Sequence, residues 1–327
     1  MGDLRKIQRT PGGTFFVCLP KHWAEKHGLK KGSVISIDEA SDGKLIVGAK
    51  PGAEPVLRAV TLKAGPYLGR EIIGKYLLGY DTMRVESEER ISPEVRNMVK
   101  NTVTRLVGLE IVEENHSGIV LQCLLEPTSF PPEKILRRGY SIVAGMHRDV
   151  AVAFTEGDSQ LAKNVVARDD ESNRLYFLLV RILRTIIQNP DLSETLVVTP
   201  IECLDYRLAA SLVEAIGDEC VRVALKTIEL NGVKLKKDLK TLFIDLNTTC
   251  LERHENALEA FLAGDIPLAE KVRDTRDKIE KDFSHIEEVA QAQSLDVVPQ
   301  ILAAASFMRQ IYEHSVDIAD LAAPRKP

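Results

Sequence analysis

No stretch of this 327-residue chain approaches the run of ~20 apolar residues that a membrane-spanning helix needs, so direct membrane insertion is not expected. The opening MGDLRKIQRT is polar and contains no apolar signal core, so a secretory leader is not expected either. Cysteine is scarce. The five (Cys18, Cys123, Cys203, Cys220, Cys250) are odd in number, widely spaced and never in a CxxC pair. That argues against a disulfide framework or a cysteine zinc site and suits a reducing cytoplasm. Catalytic signatures are missing as well: there is no P-loop, no nucleophile elbow and no HExxH. The expectation is a cytoplasmic protein that is not an enzyme. Hydrophobic content of 44% is enough for a sizeable core.

Charge is unevenly spread. Residues 1–50 carry nine Lys/Arg against five Asp/Glu, residues 51–165 carry 14 against 15, and residues 166–327 carry 20 against 28. The first segment suits an anionic partner, the last a cation or a basic partner, unless both are ordinary solvated surfaces.

The first 50 residues read as a small β-rich domain. LRKIQR (4–9) and TFFVCL (14–19) are strand candidates around the turn Pro11-Gly12-Gly13. Pro20 opens a short helix over 21–27 and Gly28 closes it. Strands over 34–38 and 44–47 flank a turn at Ser41-Asp42-Gly43. Four short strands and a helical turn make a thin core, so this module needs a partner chain or a docked neighbour. RKIQRTPGGTFFVCLPKHW, LKKGSVISI and DGKLIV resemble the AbrB/SpoVT family of swapped-hairpin dimers that bind DNA. The resemblance implies a homodimer, with DNA faced by Arg5, Lys6, Arg9 and Lys21. These cations would neutralise phosphates, which sets affinity rather than sequence choice. Dimerisation alone is the other reading of the module.

A linker (51–55, PGAEP) leads to an α+β connecting segment over 56–129. Helices are expected over 67–78 and 92–106, the second with Ser92 as N-cap and Pro93 at its first position. Strands are expected over 83–86, 110–113 and 118–125, the last two forming a hairpin around an exposed His116.

From residue 130 onward the chain is helical and duplicated. AFTEGDSQLA (153–162) matches AFLAGDIPLA (260–269) at an offset of 107 residues, without a gap. Gly ends one helix and Asp caps the next, so each GD marks a tight interhelical turn. A third helix repeats at an offset of 95: SLVEAIGDECVRVA (211–224) with SFMRQIYEHSVDIA (306–319). The expected fold is therefore multidomain: the β-rich module, the α+β segment, and an all-α half of two three-helix bundles over 130–231 and 232–327.

Glu214 and Asp218 lie four apart and share a helix face, as Asp169 and Asn173 do on the preceding helix. Such side chains can converge as hard oxygen ligands for a metal ion. In the second copy Arg276, Glu280 and Arg309 stand where the first has Asp169, Asn173 and Glu214. Glu313 and Asp317 repeat the four-residue spacing there, with Glu313 equivalent to Asp218. The alternative is a set of solvated helix pairs such as Asp170/Arg174, Asp274/Lys278 and Asp277/Lys281. His254, His285 and His314 are expected at the surface or the bundle rim.

DDESNRLYFLLVR (169–181), DYRLAASLVEAIGDECVRVA (205–224) and the doubled GDxxLA turn resemble the PhoU family of phosphate-uptake regulators. YLLGYDTMRV and LVGLEIVEEN in the middle segment are similar to its archaeal members. The resemblance implies a cytoplasmic regulator that links a phosphate transporter ATPase to a sensor kinase. It also implies an iron, zinc or magnesium ion at Asp169, Asn173, Glu214 and Asp218, less strongly at Glu313 and Asp317. Two other readings stay open: a transcription factor whose bundle takes an effector other than phosphate, and a metal-dependent phosphohydrolase.

Overall fold

The computed structural model describes residues 4–39, 43–49 and 57–324, in two compact units that meet in sequence between Leu57 and Arg58. In the first, β1 (Gln8–Arg9) pairs antiparallel with β2 (Phe15–Phe16) around a turn in which Gly13 adopts a positive φ of 94°. A short helix α1 (Lys21–Lys26) follows, and then the antiparallel pair β3 (Ser36–Glu39) and β4 (Leu45–Gly48). The expected strands over 4–9 and 14–19 shrink to two-residue ladders, closed at the turn by the Thr10 N–H donating to the Thr14 carbonyl at 2.9 Å. The first two residues of the expected turn at 41–43, and the linker at 51–55, lie outside the described residues.

The second unit begins with a four-stranded sheet of order β5 (Ala59–Lys63), β6 (Thr82–Glu86), β8 (Gly118–Cys123), β7 (Leu109–Glu114). β5 and β6 are parallel, and α2 (Leu68–Leu77) supplies the crossover that parallel neighbours require. β7 and β8 form the expected hairpin, with a bulge between Ile111 and Glu113. α3 (Pro93–Thr104) starts as the sequence predicts, its Ser92 hydroxyl accepting from the Val95 N–H. β5 was not anticipated. Its five residues bury only Leu62, so the strand carries a single core residue as a signal.

Eight helices follow. α4 (Pro132–Glu156), α5 (Ser159–Gln188) and α7 (Pro200–Glu229) make the first three-helix unit, with the short α6 (Pro190–Leu196) in the last connection. α8 (Lys237–Ala263), α9 (Ile266–Arg273), α10 (Arg276–Ala290) and α11 (Val298–Ala319) make the second. Here α9 and α10 replace the single long α5. The Thr275 hydroxyl bonds back to the Lys271 carbonyl at this break, a competitor to regular helix. Both GD turns form as predicted. Gly157 and Gly264 sit in the left-handed region at φ 68° and 66°, and Asp158 and Asp265 accept the first free N–H groups of the next helix. A Cβ at residue 157 would also lie 2.7 Å from the Val233 carbonyl oxygen, so only glycine fits that turn.

The two helical units share one continuous apolar core, with α4 packed on α8 and α7 on α11. Because α4 and α8 are equivalent helices, the seam brings equivalent residues together. His147 and His254, 107 residues apart, are both fully buried, and His147 Nδ1 lies 2.9 Å from His254 Nε2. Arg148 and Glu255, one residue on, pair at 2.7 Å. His254 is thus not at the surface or rim, as the sequence reading had it; His285 is exposed and His314 half-buried. Tyr140 Oη lies 2.7 Å from His254 Nδ1, and Met308 Sδ 3.2 Å from His147 Nε2. A thioether only accepts, so one proton arrangement satisfies every atom. Tyr140 donates to His254 Nδ1, His254 Nε2–H to His147 Nδ1, and His147 Nε2–H to the sulfur.

Burial holds both imidazoles neutral, pushing His147 down to about 3 and His254 well below the usual range. The unfolded chain protonates both near pH 6.5, whereas the folded chain does not. Stability should therefore fall as pH drops below ~6.5, by ~1.4 kcal/mol per pH unit for each histidine, until the folded state also protonates. Urea denaturation between pH 7 and pH 4.5 measures the slope. His147→Leu should reduce it by about one proton's worth.

The carboxylate face of the first bundle and its counterpart in the second

Asp169 and Asn173 project from α5, Glu214 and Asp218 from α7, and all four are half-buried. Gly217 sits between the two acids of α7. A Cβ there would lie 3.3 Å from Val143 Cγ2 on α4, so the glycine sets how closely α7 approaches the rest of the bundle. Asn173 Nδ2 donates to Asp169 Oδ2 at 2.8 Å, while Asp169 Oδ1 is buried with no hydrogen-bond partner. Burial raises the Asp169 carboxyl, with the negative charge of Asp218 adding to it. Burial likewise raises Glu214, followed by Asp218 and Asp169. The structure therefore brings three acids from two helices into mutual electrostatic contact, and none of the three forms an ion pair among the described residues.

The second copy is built differently at the same place. Arg276 grips both oxygens of Glu313 at 2.7 and 2.9 Å, and Arg309 reaches Glu280 at 3.3 Å. Two basic substitutions turn an acidic face into two crossed ion pairs. Both Glu313 oxygens are thus engaged by a cation, and Asp317 is exposed. Among the described residues, none of the pairs Asp170/Arg174, Asp274/Lys278 and Asp277/Lys281 forms an ion pair either. Asp274 caps α9, and Lys278 turns to Asp282 and Thr249 Oγ1, each at 2.7 Å.

The donor chemistry of the first copy, hard oxygens with one orphaned, fits a hard cation. As placed, the side chains do not converge into a cage: among the described residues no group of three or more His, Cys, Asp or Glu is already gathered in metal-binding geometry, so ligation would require these side chains to turn toward one another.

In the N-terminal unit, Arg5, Lys6, Arg9 and Lys21 are all exposed. Arg9 folds over the Phe15 ring, 5.4 Å from its centroid, and donates to the Gly13 carbonyl, so it belongs partly to its own hairpin. Lys21 makes a solvated pair with Glu25 at 3.7 Å.

A doubled three-helix bundle with an acidic face on one copy defines a class of helical domain. Residues 136–227 and 243–322 match the PhoU domain, together more than half of the chain, and the chain belongs to that family. Residues 8–55 match the family described as antidote-toxin recognition MazE, bacterial antitoxin, which accords with the AbrB-like reading of the module. A search of curated proteins gives no match. Among solved structures, PhoU from Pseudomonas aeruginosa is similar at 20% identity and a TM-score of 0.52, over 58% of this chain and 93% of that one. The phosphate transport system regulatory protein PhoU from Streptococcus pneumoniae is 15% identical with a TM-score of 0.48, over 58% of this chain and 91% of that one. The first likeness is one of fold. No helix among the described residues is long and apolar enough to cross a membrane.

The raised carboxyls carry a sign. An acid whose folded pKa lies above its unfolded value destabilises the fold as pH rises through that folded pKa. Asp218→Asn removes the charge that raises both Asp169 and Glu214, so it should raise the melting temperature at pH 8 in EDTA. The gain should vanish near pH 4, where the acids are protonated. Differential scanning calorimetry at the two pH values checks both halves.

Proposed function

We propose that this protein is a cytoplasmic, non-catalytic regulator of phosphate uptake. Its helical unit would contact a phosphate transporter ATPase or a sensor kinase, and its N-terminal module would form a homodimer that binds DNA. Membership of the PhoU family carries the first part of this reading. Membership of the same family also supports a non-catalytic role. Burial pushes Cys203 up to about 11 and Cys250 up to about 12, which makes poor nucleophiles.

The N-terminal module supports its own part. None of its described residues is buried, while Phe15 and Leu45 are about two-thirds exposed (68% and 67%). Apolar side chains left in water at this density favour association with a second copy. Light scattering of the full chain should give a dimer, and Phe15→Asp with Leu45→Asp should shift it toward monomer with the helical unit still folded. A monomeric wild type would end the dimer claim.

DNA contact is tested by fluorescence anisotropy with the DNA upstream of the protein's own gene, against a scrambled duplex, over a salt series with and without phosphate. Binding should prefer the native sequence and weaken steeply with salt. Arg5→Ala and Arg9→Ala should each lower affinity and reduce the salt slope by about one. Equal binding to both duplexes at every salt leaves dimerisation as the module's task.

For the carboxylate face, we propose a hard cation held by Asp169, Glu214 and Asp218, with the Asn173 carbonyl as a weak fourth donor. Its contribution would be to neutralise the charge these acids share. The orphaned Asp169 oxygen supports this. Elemental analysis for iron, zinc and magnesium in the purified protein and in Asp218→Ala tests it: metal in the first and its loss in the second is the expected result. A metal-free wild type that also fails to bind these ions in titration ends the proposal.

A further inference from the structure

A second feature of the first bundle belongs to neither the carboxylate face nor the seam. Between α4, α5 and the connection from the sheet lies a cleft of about 490 Å³, within the range of small-molecule sites. Its walls are apolar, with Phe130, Ile135, Ile142, Leu175 and Leu178 among the lining residues. Three cations also line it: Lys134 and Arg138, one turn apart on α4, and Arg174 on α5. Among the described residues, none of the three is held by an ion pair or a side-chain hydrogen bond. One carboxylate, Glu171, lies with them. The first turn of α4, a helix of 25 residues, opens at the cleft and adds its positive end.

The duplication supplies an internal comparison. At an offset of 107 residues, Lys134, Arg138 and Arg174 become Thr241, Asp245 and Lys281. The apolar Ile142, Leu175 and Leu178 become Thr249, Asp282 and His285. In the second copy the equivalent ground is closed by the Lys278 ammonium, bound to Asp282 and Thr249. Bundle packing therefore demands neither the apolar Ile142, Leu175 and Leu178 nor the cations at 134 and 138; the fold is satisfied without them in its other half, where only the cation at 174 has a counterpart, Lys281. What the first copy has instead is an apolar hollow with an uncompensated charge of about +2, three cations against one acid.

From this we infer that the cleft binds a phosphate monoester carrying an apolar or aromatic group. A phosphate monoester carries about two negative charges at neutral pH, matching that excess. Guanidinium groups from two helices suit its geometry, forming paired N–H···O bonds to phosphate oxygens. The apolar walls would take the organic part and so discriminate against the free anion. The site does not depend on the protein's acting in phosphate uptake, nor on a metal at the carboxylate face.

The probe is 1-naphthyl phosphate, titrated calorimetrically into the full-length protein in EDTA, with inorganic phosphate and 1-naphthol as the two half-ligands. The expected result is one site per chain, with each half-ligand at least tenfold weaker. Arg138→Gln and Arg174→Gln, both at exposed positions, should each weaken naphthyl phosphate about tenfold or more and leave 1-naphthol unchanged. Leu175→Asp, which imports the residue of the second copy, should abolish binding of both aromatic probes. Inorganic phosphate binding as tightly as the ester would overturn the assignment of the apolar walls. Wild-type affinity in both arginine variants, or no saturable binding of the ester, would overturn the site itself.

Discussion

Each three-helix unit has an apolar face it cannot bury alone, and the seam between α4 and α8 is where the two copies solve this for each other. Self-complementary contact between equivalent surfaces puts equivalent residues near an approximate two-fold axis. There a residue meets its own counterpart, as His147 meets His254. Two identical side chains can bond on such an axis only if one donates and the other accepts. Histidine meets that demand because its two nitrogens differ in protonation, and Tyr140 and Met308 fix which ring takes which role. Like charges would repel at the same spot, and two cations are what acid produces.

The most buried polar tie between the sheet and this helical body is Arg181, beside the packing of Phe177 of α5 against the sheet-lobe core and a hydrogen bond from Arg58 to Gln188. Arg181 of α5 is almost fully buried, and its guanidinium spans the Tyr76 and Tyr80 carbonyls at 2.8 Å each and Asp81 Oδ1 at 3.0 Å. Asp81 in turn accepts from the Arg58 N–H at 2.9 Å, where β5 begins. A buried charge with its donors used in this way orients the lobe more than it stabilises it, since desolvation offsets much of the pairing.

Much of this was legible in the residues. The GD dipeptides marked both turns because a left-handed glycine and a capping aspartate are local chemistry. The duplication was visible because both copies retain that chemistry at one spacing. The basic replacements at positions 276 and 309 already suggested that the second copy would lack an open acidic face. Three things were not legible. β5 has one buried residue, too few for alternation to register. α6 is a helix of only seven residues, opened by Pro190 and ended before Pro200. The burial of His254 depends on which helix faces which across the seam, a relation that no window along the chain contains. The offset of 107 did contain the clue: histidine recurs at 147 and 254, and a polar residue kept in both copies of a helix is a candidate for the axis between them. The cleft likewise depends on a connection from the sheet, far from α5 in sequence.

α5 is an unbroken rod of 30 residues, about 45 Å long, where the second copy has a jointed pair. Along it stand the GD turn at its start, Asp169 and Asn173 toward α7, Arg174 and Leu175 toward the cleft, and Arg181 in the sheet lobe. A straight rod transmits rotation along its whole length, and a jointed one absorbs it. A rotation of α5 at one of these stations would then be carried to the others. Ligands at the acidic face and in the cleft would then compete for, or agree on, a single shared angle. By thermodynamic reciprocity each would change the other's affinity by the same factor.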